Sequence, residues 1–396
     1  MIQAQVTVLV AVLALAALVS ITAQRTLVPW VTQLAIAGAL VGVVLHDRLP
    51  AIDPALILFV FLPGLLFEAA FNLDWRDLRR NAVPVLLLAT VGVALTTGLS
   101  AGLVHLVVAV PLPAAILFGA AVAATDPVAV VATFRRLGVP PRMRNLIEAE
   151  SLLNDGTGVV LFSVALALTT SHSLSAPTVA LDLLRLVGGG VALGAVIGIG
   201  VSRLTGFVDE PQVELTLTAL AAYGGYLAGD AIHVSGILCV VTAGAVIGNY
   251  GRARHMSART RDAVEVVWDY VAFVLNSAVF VLIGAAVPLR LLLAQLPLVA
   301  AGAAIVLLAR AVTVYGLLNV VRRGTRTPSA WQHLLVWGGL RGAVAVALVL
   351  SLPASVPHAD TIRALVYGVV LSTIVVQGST IVPLTRRLLR IPAAPA

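Results

Sequence analysis

Apolar runs of roughly 20 residues recur from one end of this chain to the other, separated by short polar stretches rich in arginine, glycine and proline. About 20 apolar residues, rising 1.5 Å each as a helix, are needed to cross the hydrocarbon of a bilayer. The pattern therefore predicts membrane-spanning helices throughout. Hydropathy and breaker residues give thirteen candidate spans. The first six are roughly 6–24, 28–46, 55–71, 82–108, 113–134 and 145–170. The other seven are roughly 182–203, 213–229, 231–249, 264–287, 291–321, 330–353 and 363–385. Only Gly229 and Asp230 punctuate the pair between 213 and 249.

Charge placement tests that count. All 25 basic residues are arginine. Connections after odd-numbered spans, with the C-terminal stretch, hold nineteen of them: Arg25, Arg76, Arg79, Arg80, Arg135, Arg136, Arg142, Arg144, Arg203, Arg252, Arg254, Arg259, Arg261, Arg322, Arg323, Arg326, Arg386, Arg387 and Arg390. The opposite side holds Arg48, Arg185, Arg290 and Arg363, and Arg310 and Arg341 fall inside spans. Positively charged loops stay cytoplasmic, so an odd count puts the N-terminus outside and the C-terminus inside. Thirteen spans suit two six-helix repeats joined by one linker span, with an offset of seven inverting the second repeat, a common transporter plan. The fifth span then pairs with the twelfth. Both carry helix breakers: Asp126-Pro127 in one, Gly338, Gly339 and Gly342 in the other.

Composition narrows the class. The 396 residues are 60% hydrophobic and 11% charged, against about a quarter charged in soluble domains. No stretch is long and polar enough for a separate soluble domain, so residues 1–396 read as one integral membrane domain. The net charge of +7 sits in short membrane loops, so it argues for orientation and contact with lipid rather than nucleic acid. Cys239 is the single cysteine, which excludes an intrachain disulfide and a multi-cysteine metal site. The opening MIQAQVTVLV lacks a basic n-region, and it reads as the first span rather than a cleaved signal.

Two acidic motifs interrupt consecutive apolar segments: ATDP at 124–127 and EAESLLNDGTG at 148–158. A carboxylate in hydrocarbon is costly and marks a functional site. Pro127 lacks an N–H and its ring excludes the carbonyl four residues back, freeing the C=O of Ala123; it also pushes Asp126 out of the α region. The expected result is a broken helix presenting Thr125 oxygens and the Asp126 carboxylate, although a plain proline kink with Asp126 as cap is the bland alternative. In the next segment Glu150 and Asn154, and Ser151 and Asp155, are each four apart and share a helical face. Ser151 and Asp155 can offer oxygen to an ion, and Asp126 and Asp155 read as sharing one. Buried Arg310 and Arg341 need carboxylate partners, and the candidates are Glu150 and Glu68, unless the long side chains snorkel. Asp269 and Asn276 could line a cavity.

In combination, LPGLLFEAAFNLDWRDLRRN, AATDPVAVVATFRRLGVP, EAESLLNDGTGVVLF, NSAVFVLIG and GGLRGAVAVAL, in that order, resemble the NhaP/NHE-type sodium–proton antiporters of the monovalent cation–proton antiporter superfamily. The resemblance implies an all-α polytopic membrane protein of about thirteen spans, with inverted six-helix repeats and two broken crossing helices. It also implies a homodimer in which a core, about 82–170 and 291–385, moves against a dimerisation part. By the same resemblance Asp155 exchanges cation for proton, Asp126, Ser151 and the Thr125 carbonyl complete coordination of the metal ion, and Asn154 steadies the site. Glu150 is then the partner of Arg310, and Arg341 stands at the crossing, paired with Glu68. Electrogenic relatives carry Asp-Asp where this chain has Asn154-Asp155, which implies electroneutral one-for-one exchange of Na+, with Li+ as a second cation, for H+. The role implied is control of internal pH and sodium at the plasma membrane, without cofactor, organic substrate or enzymatic chemistry. Three other readings stay open: potassium–proton or broad-specificity exchange on the same scaffold, an intramembrane hydrolase using Asp126 and Asp155, and a proton-coupled symporter binding an organic anion at Arg341.

Overall fold

The computed structural model describes residues 2–23, 25–26, 28–44, 53–170, 176–287, 289–321 and 327–391. Among the arginines used to orient the chain, Arg48, Arg322, Arg323 and Arg326 lie outside the described residues, as does the side chain of Arg290.

Helices fall on every predicted span. In chain order they are α1 (Ile2–Ala23), α2 (Trp30–Val44), α3 (Leu56–Phe71), a short amphipathic α4 (Trp75–Arg80) and α5 (Ala82–Val108). The fifth span is two half-helices, α6 (Leu112–Ala121) and α7 (Val128–Arg136). Then come α8 (Pro141–Thr170), α9 (Ala176–Thr205) and α10, in which Pro211–Ala219 continues through a π-helical turn, Leu220–Gly224, into Gly225–Ala231. They are followed by α11 (Gly236–Arg254), α12 (Ala258–Ala286), a short α13 (Leu289–Ala294) and α14 (Leu296–Val320). The twelfth span is again two pieces, α15 (Ser329–Trp337) and α16 (Ala343–Leu350), and α17 (Ala359–Leu389) closes the fold.

Seven of these helices are individually long and apolar enough to cross a bilayer, the longest being α17 with 31 residues. The doubtful pair at 213–249 resolves into α10 and α11. They separate at Ser235, whose hydroxyl accepts from the Leu238 N–H and caps α11. A side-chain oxygen at that position satisfies an amide left over at a helix start.

Packing sorts the helices into two groups. In one, α2 lies along α12, α9 along α11, α3 against α11, and α1 and α10 against α12. In the other, α5 packs on α6 and α14, α6 on α8 and α17, and α14 on α15 and α17. Lipid tails are as apolar as leucine, so helices in a bilayer hold together by close fit rather than by a hydrophobic drive, and small residues permit that fit. The α2–α12 pair shows it. A Cβ at Gly284 would overlap the Ala35 carbonyl, and one at Gly38 would overlap the Val281 carbonyl.

Outside the spans, polar capping fixes the connections. Asp74 accepts from the Arg76 and Asp77 amides at the start of α4. In the connection after α9, hydrogen bonds from the Ser257 and Thr260 hydroxyls hold the Asp209 carboxyl below its ordinary range.

The α2–α12 contact supplies a stability test. Gly284→Ala should lower the thermal midpoint in detergent, since overpacking a tight contact costs on the order of 1–3 kcal/mol. Gly98→Ala, where an added Cβ meets nothing within 4 Å, should leave it unchanged or slightly raised. Equal midpoints for the two variants would contradict this packing.

Candidate functional site

Two interrupted helices meet in the second group. α6 ends at Ala121 and α7 begins at Val128, so this segment is the broken helix expected from the sequence and not a plain proline kink. Pro127 stands immediately before α7 rather than inside a helix. Across from it, α15 ends at Trp337 and α16 begins at Ala343. The two gaps cross antiparallel: the Asp126 N–H donates to the Leu340 carbonyl at 2.8 Å. The fifth and twelfth spans, expected to correspond between two repeats, also touch each other here.

Breaking two helices in an apolar interior strands backbone groups that must find partners. Side chains from neighbouring helices supply them. Asn154, on α8, accepts from the Thr125 N–H at 3.1 Å and donates to Thr125 Oγ1 at 2.8 Å. Ser151 Oγ donates to the Thr125 carbonyl. Arg341 Nη1 donates to the Ala124 carbonyl at 3.2 Å, and the Arg341 N–H is received by Thr373 Oγ1 at 3.1 Å. Thr373 opens a π-helical turn in α17, Thr373–Gln377, and no motif in the sequence pointed to it. Asp126 turns its carboxylate back to accept from the Val128 N–H at 3.1 Å, at the start of α7.

Charge is balanced one layer away. Arg310 donates from Nη1 and Nη2 to the two carboxylate oxygens of Glu150, at 2.9 and 3.0 Å, and from Nη2 to the Leu335 carbonyl at 3.3 Å. Both residues are buried, at 4% and 1% exposure. A bidentate pair of this kind is the strong form of a charge-assisted hydrogen bond. Glu150 also accepts from Asn154 Nδ2 at 2.9 Å, so the pair, the clamp on Thr125 and the end of α15 form one network.

Arg341 is fully buried, and Glu68 is not its partner. Glu68 sits on α3, in the other helix group, where it accepts from Asn72 Nδ2 at 2.7 Å. Among the described residues, Arg341 Nε and Nη2 have no acceptor. The pairing expected between them fails because Glu68 faces a cavity on the near side of the crossing, whereas Arg341 is sealed within it.

That cavity, about 370 Å³, runs between the two helix groups. At its inner end are Thr125, Asp126, Ser151 and Asp155. Its wall includes Asn276 and the tilted ring pair Trp30 and Phe273, whose centroids are 5.2 Å apart. Nearer the arginine-rich helix ends stand Glu68, Asp269, Glu148 and Arg135, the last two 3.8 Å apart. Asp155 is half-buried and makes no hydrogen bond or ion pair among the described residues. Asn154, Glu150, Arg310 and Arg341 do not line the cavity; they stand behind the residues that do.

Gly342 explains part of the GGLRG signal: a Cβ there would overlap the Asp126 carboxylate. Gly339 leaves room for the Arg310 guanidinium in the same way, with Nε 3.0 Å from where its Cβ would be. No cluster of three or more His, Cys, Asp or Glu side chains able to hold a metal occurs among the described residues. Any ion at this crossing would therefore rely on two carboxylates with hydroxyl and carbonyl oxygens, a donor set suited to a hard cation.

Comparison with known proteins gives a consistent picture. Residues 10–387 match the family model described as sodium/hydrogen exchanger, transmembrane. The chain is 42% identical to the Na(+)/H(+) antiporter ApNhaP of Aphanothece halophytica, covering 89% of this chain and 68% of that one. It is 40% identical to the Na(+)/H(+) antiporter NhaP of Pseudomonas aeruginosa, over 83% of this chain and 80% of that one. In fold it is similar to the sodium proton antiporter MjNhaP1 of Methanocaldococcus jannaschii at pH 8, with a TM-score of 0.78 at 24% identity, covering 98% and 99% of the two chains.

The Glu150–Arg310 pair provides a test of the network. Arg310→Gln should destabilise the protein by about 3–5 kcal/mol, the cost of leaving a buried charge unpaired. The exchange Glu150→Gln with Arg310→Gln should recover most of it. Thermal unfolding in detergent checks both, and equal losses for the single and double variants would contradict the pairing.

Proposed function

This chain belongs to the sodium/hydrogen exchanger family, and from that premise we propose that it is a secondary antiporter exchanging Na+ for H+ at Asp155. The observation that carries this reading is the half-buried Asp155 carboxylate, without a hydrogen-bond or ion-pair partner among the described residues, at the inner end of a cavity where the neighbouring carboxylate, Asp126, caps a helix. A carboxylate held in low dielectric without a counter-ion must take up either a proton or a cation. The two therefore compete for it. Asp126, Ser151 and the Thr125 carbonyl supply the remaining oxygens for the cation; Asn154 holds the Thr125 backbone in place. The transported ions are substrates, and no cofactor enters the cycle.

The balance of charge supports one-for-one exchange. Glu150 is neutralised by Arg310, and position 154 is a neutral asparagine engaged in three hydrogen bonds. At the crossing that leaves Asp155 as the exchangeable carboxylate beside Asp126. If the sodium-loaded and proton-loaded forms carry equal charge, membrane voltage does no work on the crossing step, whereas each net charge moved would couple by about 2.3 kcal/mol per 100 mV.

Alternating access follows from the two helix groups. In this reading the group built on α5–α8 and α14–α17 is the core and carries the crossing, and the group of α1–α3 and α9–α12 is the dimerisation part against which it slides. The cavity between them is the path to one side, and the arginine-rich helix ends beside it support reading that side as the cytoplasmic one. The N-terminus is then outside, the C-terminus inside, and the membrane is the plasma membrane. Arg341 is sealed away from the cavity, which disfavours the reading in which it binds an organic anion. The family is a transporter family, and the hydrolase reading falls with it. Potassium exchange shares every feature of this geometry and is separated by ion competition.

Proton flux in proteoliposomes tests the proposal. Added sodium should collapse an imposed pH gradient with wild type and should fail to do so with Asp155→Asn, with the rate unchanged by an imposed potential. Competition also fixes the sign of the pH effect: the apparent KM for sodium should rise as pH falls, by up to about tenfold per unit while Asp155 is mostly protonated. Sodium-driven flux surviving in Asp155→Asn would overturn the assignment, and a KM independent of pH would overturn the competition.

A further inference from the structure

α12 turns one face to α2 and another to the ion cavity. Val281, Gly284 and Ala285 meet α2, whereas Asp269, Ala272, Phe273, Asn276 and Val279 line the cavity. Residues three and four apart stack on one side of a helix, so these five form a continuous stripe along that wall. Asp269 is exposed at the mouth. Asn276 lies seven residues further along, about 10 Å deeper at 1.5 Å per residue. The stripe reaches the depth of the crossing, since α12 also packs on α16, whose start adjoins the Asp126 carboxylate at Gly342.

Asn276 is 8% exposed. Among the carboxylates, amides and hydroxyls lining the cavity, Asn276 and Asp155 are the two that make no side-chain hydrogen bond or ion pair among the described residues. The adjacent Ser277 gives the contrast: its hydroxyl donates to the Phe273 carbonyl at 2.7 Å, within its own helix. An asparagine in a spanning helix ordinarily bonds across to a neighbouring helix and glues the pair. Asn276 does not, and its carboxamide is left to the cavity.

We propose that Asn276 is a ligand of the transported cation, one that the core meets only while its site faces the cytoplasm. This rests on the antiport reading above and deepens it. In that reading every oxygen given to the cation comes from the core: Asp155, Asp126, Ser151 and Thr125. Asn276 stands on the opposite wall, in the other helix group. Its Oδ1 is a neutral, hard oxygen of the kind that suits such a cation, and it adds no charge to the one-for-one balance. The carboxylates on the same wall, Glu68 and Asp269, stand nearer the mouth and already accept from Asn72.

The position makes the contact one-sided. α12 belongs to the group against which the core slides, so a core that carries the ion to the outer side leaves Asn276 behind. Asn276 thus raises the affinity for sodium at the cytoplasmic face, and its loss during the slide favours release outside.

Everted and right-side-out membrane vesicles present the cytoplasmic and the outer face to added sodium, and a pH-gradient dye reads exchange in both. Asn276→Ala should raise the apparent KM for sodium about tenfold in everted vesicles, the low end of what a contact to a charged group contributes, and should leave it largely unchanged in right-side-out vesicles. Asn276→Asp keeps an oxygen in place and, at alkaline pH, should hold the cytoplasmic KM at or below that of wild type. Asn276→Leu should raise that KM as alanine does without lowering the thermal midpoint in detergent, because the carboxamide leaves no protein partner behind. Equal rises at both faces, or a lowered midpoint with the cytoplasmic KM unaltered, would overturn the proposal and return Asn276 to packing. Asp155→Asn separates the two levels of the argument. Sodium-driven flux surviving in it would overturn the antiport reading and this proposal with it, whereas an inactive Asp155→Asn beside an unaltered KM in Asn276→Ala would overturn this proposal alone.

Discussion

Where two helices break inside hydrocarbon, every stranded amide and carbonyl must be paired from within the protein, and this constraint shapes the rest of the molecule. At the crossing the main chains of α6–α7 and α15–α16 pair with each other through Asp126 and Leu340. What they leave over is taken up by Asn154, Ser151, Arg341 and Thr373. None of these side chains could serve if its helix were displaced by a turn. The site is therefore rigid as a unit, and any motion that changes its access moves the whole unit rather than one residue within it.

Burial has an electrostatic corollary. Two of the buried charges at the crossing have an evident partner, while Arg341 is held through the Ala124 carbonyl. Glu150 and Arg310 neutralise each other bidentately. Asp126 accepts an amide at the start of a helix, where the helix dipole favours a negative charge. At the crossing, Asp155 faces the cavity with neither among the described residues. On the proposed reading, the residues that hold the crossing together also leave the Asp155 carboxylate available for exchange.

Much of this was legible in the sequence. Spans were marked by apolar length, and their count by the alternation of arginine. The broken fifth and twelfth segments were marked by proline and glycine chemistry, and the 150/154 and 151/155 pairs by helical spacing. Glu150 as the counter-ion of Arg310 was one of two choices left open by the residues themselves. Other features carried no local signal. Thr373 lies in an ordinary apolar run, and only the tertiary path of α17 brings its hydroxyl beneath the Arg341 amide. The expected Glu68–Arg341 pair failed for the complementary reason: both residues sit in apolar segments, but a cavity separates the groups of helices that carry them. The break at Pro127 was expected, but its extent back to Ala121 carried no local signal, because a proline accounts for one lost hydrogen bond while the crossing itself displaces several.

The central claim is that cation and proton occupy the same carboxylate in turn. Proton release on adding sodium to the purified, weakly buffered protein tests it most directly, since it needs neither vesicles nor a gradient. At a pH where Asp155 is protonated, one proton should leave for each sodium bound, and Asp155→Asn should release none. Sodium bound without proton release by the wild type would contradict the account.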